Sequence, residues 1–345
     1  MSGIVGEDGT VKKYIRRVPL PMSGVMLGFA ALGNFLKSRL VPVWVMMECA
    51  AVFLLLLLLL KIFLFPRETA ADMGNAAIAG ASGTFSMGLM FLSVSAASLN
   101  RSAGAVLWGI GLLLHILLIL YFTVRFVLSF RLRQVYPSWF LVYVGIVAAA
   151  ATGGAFGMQR LGRALLCWGL SCTAVLMVIV TVRYLRIPPE EPLRPLAAIY
   201  AAPVSLCLVG YFRSFDGKSL GTVLILAVIA HIFYVFGLTV VIRMIGTRFY
   251  PSFSAFTFPF INTAIATKLG AAAAAKAGAA ASGVLQMLAG PECAVGTALL
   301  LIVFVRYLQA VFFRKDAAEL PLKTNRHMEQ NDGHYTGTAV DRRNA

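Results

Sequence analysis

Three ionisable side chains stand inside long apolar runs of this 345-residue chain: Glu48, His115 and His231. Each could relay a proton or close a hydrogen bond between helices, and in apolar surroundings the hydrogen bond is the expected use. No nucleophile is spaced to meet a base, and neither a phosphate-binding glycine loop nor a dinucleotide fingerprint occurs. The nearest His-rich stretch, His327 and His334, lies close to the C-terminal end. Five cysteines (Cys49, Cys167, Cys172, Cys207 and Cys293) are scattered through apolar segments without metal-ligand spacing. They read as small buried hydrophobes. Enzyme chemistry, a metal site and a cofactor are therefore not expected.

The elements that hold these residues are set by composition. The chain is 59% apolar and 13% charged, far from the roughly 45–50% and 25% of a soluble domain. Runs such as 43–65 and 107–121 approach or exceed the ~20 apolar residues of a spanning helix. An all-α integral membrane protein follows. The net charge of +16 does not indicate nucleic acid, because Lys and Arg recur at the ends of apolar runs rather than along one polar face. No cleavable signal peptide is expected, since residues 1–18 are polar and basic and no A-x-A site follows.

Ten spans are expected, at 20–36, 42–65, 76–98, 103–128, 138–158, 161–185, 196–213, 219–245, 252–272 and 292–313. The alanine-rich stretch 271–283, with Lys276, is left open as loop or helix extension. Alternate connections divide the cations unevenly: 21 Lys and Arg fall on the side of the termini and nine on the other. The excess places both termini in the cytoplasm, in the cell membrane. Residues 1–18 and 316–345 become cytoplasmic tails around a transport domain at 19–315.

An internal repeat organises the spans. Even spans are bulky and end on a cation among apolar residues: Lys61, Arg125, Arg183, Arg243 and Arg306. Odd spans are small-residue-rich and carry helix breakers. These are Pro19, Pro21, Gly24, Gly28 and Gly33 in the first, and Gly80, Gly83 and Gly88 in the third. Pro137, Gly145, Gly153 and Gly154 mark the fifth, Pro195 and Pro203 the seventh, and Pro259 the ninth. Breakers are tolerated where protein or water satisfies the freed backbone. The pattern predicts five helical hairpins with quasi-five-fold symmetry, odd helices inside and even helices outside. A ring of five kinked helices can leave an axial passage. Apart from Arg213 and Lys268 towards their ends, the odd spans hold no Asp, Glu, Lys, Arg or His. A passage would be lined by small polar groups: Ser82, Thr84, Ser86, Ser93, Thr152, Ser205, Thr257 and Asn262.

Three of these spans carry a resemblance. The first, VPLPMSGVMLGFAALG from Val18 to Gly33, is similar to the opening Pro/Gly helix of the tellurite-resistance/dicarboxylate transporter family, which includes the plant slow anion channels. The fifth begins Pro137-Ser138-Trp139-Phe140, similar to that family's PxWF start. The ninth, with Phe256-Thr257-Phe258-Pro259-Phe260 followed by Ala264-Ile265-Ala266-Thr267, resembles its most characteristic stretch. The resemblance covers about residues 14–315. It implies inner helices lining a pore, a trimer of such subunits, and a phenylalanine of the ninth helix plugging the pore. By position in the motif that residue is Phe258, with Phe256 and Phe260 as alternatives; three phenylalanines at alternate positions cannot share one helix face. Pro259 stands where some bacterial members have Gly, and the long regulatory tails of the plant members have no counterpart.

The function expected is a passive channel or transporter for small anions, with a phenylalanine-gated central pore. A proton-coupled carrier for C4-dicarboxylates, sulfite or tellurite-type oxyanions is the alternative, with Glu48 as the acidic candidate inside a span. A membrane sensor or scaffold without transport is the third reading. The partners expected are a small anion, the bilayer and two further copies of the chain.

Overall fold

The computed structural model describes residues 11–37 and 40–313; Arg39, His327 and His334 and most of both expected tails lie outside the described residues. Among the described residues, a helical stretch at 11–16 is followed by thirteen α-helices: α1 (Ser23–Leu36), α2 (Val41–Leu64), α3 (Pro66–Met73), α4 (Ala76–Ala81), α5 (Gly83–Leu99), α6 (Arg101–Phe122) and α7 (Ser138–Tyr143). Then come α8 (Val147–Gly153), α9 (Gln159–Arg186), α10 (Pro203–Ser214), α11 (Leu220–Met244), α12 (Phe258–Lys276) and α13 (Ala281–Leu308). No strand occurs among the described residues. Among the described residues seven stretches are long and apolar enough to cross a membrane, and Leu20–Leu36 and Val147–Phe156 are shorter apolar helices.

Two classes of segment separate by burial. In α2, α6, α9, α11 and α13 only 22–28% of the most apolar stretch is covered by protein. These helices are continuous and rich in Leu, Val and Ile, as lipid contact requires. The other segments are covered almost throughout: 83% of the Ala76–Leu99 stretch and 94% of the Glu191–Ser214 stretch is buried. They are also broken. A 3-10 turn at Leu20–Met22, carrying Pro21, leads into α1. Ser82 separates α4 from α5, and Val144–Ile146 separates α7 from α8. The 3-10 stretches Glu191–Ala201 and Pro251–Phe256 precede α10 and α12, which start with Pro203 and Pro259 in their first two positions. Proline cannot donate to the preceding turn but suits the first turn of a new helix.

The buried segments close a circuit. α1 packs on α5, α4 on α7, α5 on α8, α8 on α10, α10 on α12, and α12 returns to α1. Each lipid-facing helix lies over the buried segment before it and touches the one after: α2 on α1 and α5, α6 on α5 and α7, α9 on α8 and α10, α11 on α10 and α12, α13 on α12 and α1. Three of their terminal cations hold connecting segments by carbonyl oxygens. Lys61 Nζ donates to the Arg16 carbonyl at 2.7 Å, Arg183 to that of Ile187 at 2.9 Å, and Arg306 to that of Thr247 at 3.3 Å.

Two expectations change. The last helix starts at Ala281, well before residue 292, with Pro291 inside it; the alanine-rich stretch is the end of α12, a turn with Gly278 at φ +66°, and the start of α13. Of the cysteines only Cys207 is buried, whereas Cys49 and Cys167 are exposed on lipid-facing helices, where a thiol needs no protein cover.

Glycine positions provide a paired test of this packing. A Cβ at Gly83 would lie 2.5 Å from the Leu141 carbonyl oxygen, while one at Gly109 meets nothing within 4 Å. Gly83→Ala should cost about 1–3 kcal/mol, and Gly109→Ala should stabilise by about 0.5–1 kcal/mol, read as thermal midpoints in one detergent. Equal shifts would contradict the α5–α7 approach.

The α3 start offers a second. Glu68 accepts from Arg16 at 2.6 Å and from the buried Lys61 at 3.1 Å. Partial burial works to raise the Glu68 pKa, but Lys61 and Arg16 together outweigh it and hold the carboxyl below the usual range. A folded-state pKa below the unfolded one gives stability that is complete above the unfolded value and is lost as pH falls through the folded value. With the Arg16 arm screened by solvent, Glu68→Gln should cost about 0.5–1 kcal/mol near neutrality. Wild type and variant should converge on acidification; a gap that persists would remove the ion pair as its cause.

Candidate pore at the helix breaks

Where the breaks of the buried segments meet there is one small enclosed cavity. All five segments line it: Gly24 from the first; Ala81 and Thr84 from the second; Leu141 from the third; Leu196 and Ile199 from the fourth; Ser254, Ala255, Phe258 and Pro259 from the fifth. It has about 10 Å³ of room, scarcely enough for one water molecule. No charged side chain lines it, and Thr84 and Ser254 are its only polar side chains. Three helices begin at this level, so the first-turn residues Gly24 of α1, Thr84 of α5 and Phe258 of α12 all face it.

The three phenylalanines diverge. Phe258 lines the cavity at 1% exposure and meets Phe91 of α5 edge-on, with centroids 5.7 Å apart. Phe256 packs on Phe253 at 5.0 Å, and Phe260 turns outward to Tyr234 of α11 at 5.4 Å. Only Phe258 of the three faces the cavity.

Most of the polar candidates tie neighbouring segments together instead of lining the cavity. Thr257 Oγ1 donates to the Gly24 carbonyl at 3.0 Å, joining α12 to α1. Asn262 Nδ2 donates to Ser205 Oγ at 2.9 Å, joining α12 to α10, while its Oδ1 is buried without a partner. Ser86 Oγ meets His115 Nδ1 at 2.7 Å, and His115 Nε2 lies 2.9 Å from the Val142 carbonyl. Thr152 accepts from Trp108 Nε1 at 2.9 Å. Thr84, which does line the cavity, shares a 2.7 Å hydrogen bond with Ser23, joining α5 to α1.

The proposed kink residues divide in the same way. Gly24 and Pro259 line the cavity, whereas Gly28 faces Leu300 and Thr257. Gly145 faces His115 and Met87, and Gly83 faces Leu141. Pro21 is buried in the opening 3-10 turn, and Pro203 starts α10.

Ionisable groups within the bundle lie away from the cavity. Glu48 of α2 accepts from Ser95 at 2.7 Å. His231 of α11 lies 2.9 Å from Glu292 of α13, with Thr267 of α12 at 3.4 Å. Glu292 is 4% exposed and its Oε2 has no partner. Glu292 lies in the middle of α13 and not at its start. The signal was available: a histidine in an apolar helix needs a partner, and Glu292 is the one carboxylate in the last apolar run.

A family model described as SLAC1, voltage-dependent anion channel, matches residues 17–309. Comparison with curated proteins gives no match.

His115 bridges three elements, since Ser86 is on α5, His115 on α6 and Val142 on α7. Interhelical hydrogen bonds in membranes are worth about 0.6–2 kcal/mol each, so His115→Leu should cost about 1–3 kcal/mol. His115→Gln should recover part of the loss in a detergent melting series. A His115→Leu protein as stable as wild type would contradict the bridge.

Proposed function

The chain belongs to the voltage-dependent anion channel family, and from that premise we propose that it is a passive channel for small anions, gated by Phe258. Membership of the family implies anion transport and a multi-pass membrane protein. The finer reading is ten spans in five hairpins with quasi-five-fold symmetry, both termini cytoplasmic, in the cell membrane, assembled as a trimer. The circuit of buried segments supports the hairpin arrangement, and the excess of cations on one side supports the orientation.

The observation that carries the gate is the position of Phe258 in a cavity of about 10 Å³ that all five buried segments share. An ion cannot pass there unless the ring moves. The anion preference has its own physical support. A helix N-terminus carries roughly half a positive charge, and three helices begin at the cavity with no fixed side-chain charge opposing them. Such dipole ends favour an anion without trapping it. Selectivity then follows the cost of dehydration, so large polarizable anions should pass more readily than small, strongly hydrated ones.

Proton-coupled transport of dicarboxylates, sulfite or tellurite-type oxyanions would need a titratable group on the path. Glu48 and the His231–Glu292 pair do not line the cavity, which favours the passive channel.

Phe258→Ala should raise nitrate and chloride efflux from proteoliposomes by roughly tenfold, equivalent to about 1.4 kcal/mol of barrier. Phe260→Ala should leave efflux near wild type while lowering the melting temperature, because its ring packs outward. Unchanged efflux in a folded Phe258→Ala protein would remove the gate. Malate or sulfite accumulation driven by a pH gradient would replace the channel with the carrier.

A further inference from the structure

On the arginine-rich side, a crevice of about 490 Å³ opens between the ends of α9 and α11 and the 3-10 stretch Glu191–Ala201. Its polar rim holds the guanidinium groups of Arg194 and Arg243. Arg243 makes no hydrogen bond or ion pair with the described residues, and Arg194 makes one long contact of 3.4 Å, to the Pro189 carbonyl. Tyr184 also lines the crevice, and its hydroxyl is buried with no hydrogen-bond partner. Glu191 is the one carboxylate there, and it faces the Tyr250 hydroxyl. The rim therefore keeps a net positive charge and an unsatisfied donor. Below it the wall is apolar: Phe236 and Val240 continue to the exposed Ile232 and Val235 along the lipid face of α11.

We propose that this crevice binds an anionic phospholipid, with its phosphate between Arg194, Arg243 and Tyr184 and an acyl chain lying along Phe236 of α11. Two guanidinium groups with a hydroxyl suit the oxygens of a phosphate. A basic pocket between helices at the membrane surface is the setting in which anionic headgroups are recognised. The apolar trough leading from the rim onto a lipid-facing helix selects a lipid over a free anion.

Occupancy reaches the central cavity through one short element. In a 3-10 helix residues three apart share a face. Glu191, Arg194 and Ala197 line the crevice, and Leu196 and Ile199 line the cavity. A lipid that holds the first face fixes the second, so it sets how readily the cavity wall moves. This second half rests on the channel reading; the binding half does not.

The test uses the full-length protein. Native mass spectrometry would compare retention of phosphatidylglycerol and phosphatidylcholine in wild type, Arg194→Gln, Arg243→Gln, Tyr184→Phe and, as a control of equal charge loss, Arg67→Gln. Selective retention of phosphatidylglycerol should fall about five-fold for each crevice arginine removed, should weaken in Tyr184→Phe, and should persist in Arg67→Gln. Equal loss in Arg67→Gln, or no selectivity in wild type, would overturn the site. Displacement of the lipid by millimolar inorganic phosphate would show a free-anion site and overturn the lipid assignment. In proteoliposomes, added phosphatidylglycerol should change nitrate efflux of wild type several-fold more than that of Arg194→Gln/Arg243→Gln; equal responses alongside selective retention would overturn the coupling. A wild type that retains the lipid but passes no anion would sink the channel reading and leave the binding site standing.

Discussion

A hydrocarbon solvent offers no hydrogen bonds, so every interruption of a helix must be surrounded by protein. That single constraint orders this molecule. The interrupted segments, broken near Pro21, Pro203 and Pro259, are buried; the long outer helices are rich in Leu, Ile and Val, and their faces are left to lipid. Five interrupted segments need mutual cover, and a closed circuit gives each of them two interrupted neighbours and an outer helix. The breaks then fall together at the centre because nowhere else is covered on all sides. A central constriction is the geometric result of hiding five breaks at one depth.

Hydroxyls and amides in such a ring face a choice between lining the axis and joining neighbours. Here most of them join. Thr257, Asn262, Ser205 and Ser86 make hydrogen bonds between elements, and the axis is left to Leu141, Leu196, Ile199 and Phe258 with only Thr84 and Ser254 polar. A wall held by side-chain hydrogen bonds stays in register while an aromatic ring within it moves. Thr257, which ties the wall, and Phe258, which fills the cavity, are adjacent in the chain. The orphaned Asn262 Oδ1 is the exception within this network.

What the sequence made legible follows from what burial does to composition. The contrast between Leu-rich runs and Pro/Gly-rich runs separates lipid-facing from covered segments, because lipid and protein neighbours impose different residue types. Direction within the covered segments was not legible. Amphipathic periodicity marks a face only where one side meets a different solvent, and a segment such as Phe258–Thr267 is buried on every side. Residue type alone points Ser86, Thr152, Ser205 and Asn262 towards the axis, and it does not reveal the hydrogen bonds that they make to neighbouring segments. Phe258 was separable from Phe256 and Phe260 only through the family motif. The His231–Glu292 pair was missed for another reason: alanine runs suit both a connector and a helix, and starting the last helix at residue 292 put the carboxylate at its margin.

The 3-10 stretch Glu191–Ala201 shows why the inner segments are not all alike. An α-helix would distribute side chains every 100° and give no clean partition between two sides. With three residues per turn, rows of every third residue stay aligned over the whole stretch. One row meets the polar crevice at Arg194 and Ala197 and continues to Tyr200, which lies between Phe140 and Phe233, while another row meets the cavity at Leu196 and Ile199. A surface of the bundle and its centre are thus separated by one backbone thickness. Of the five buried segments, this one carries an arginine and a glutamate on the residues leading into its break, so chemistry at the membrane surface has its shortest mechanical route to the constriction here.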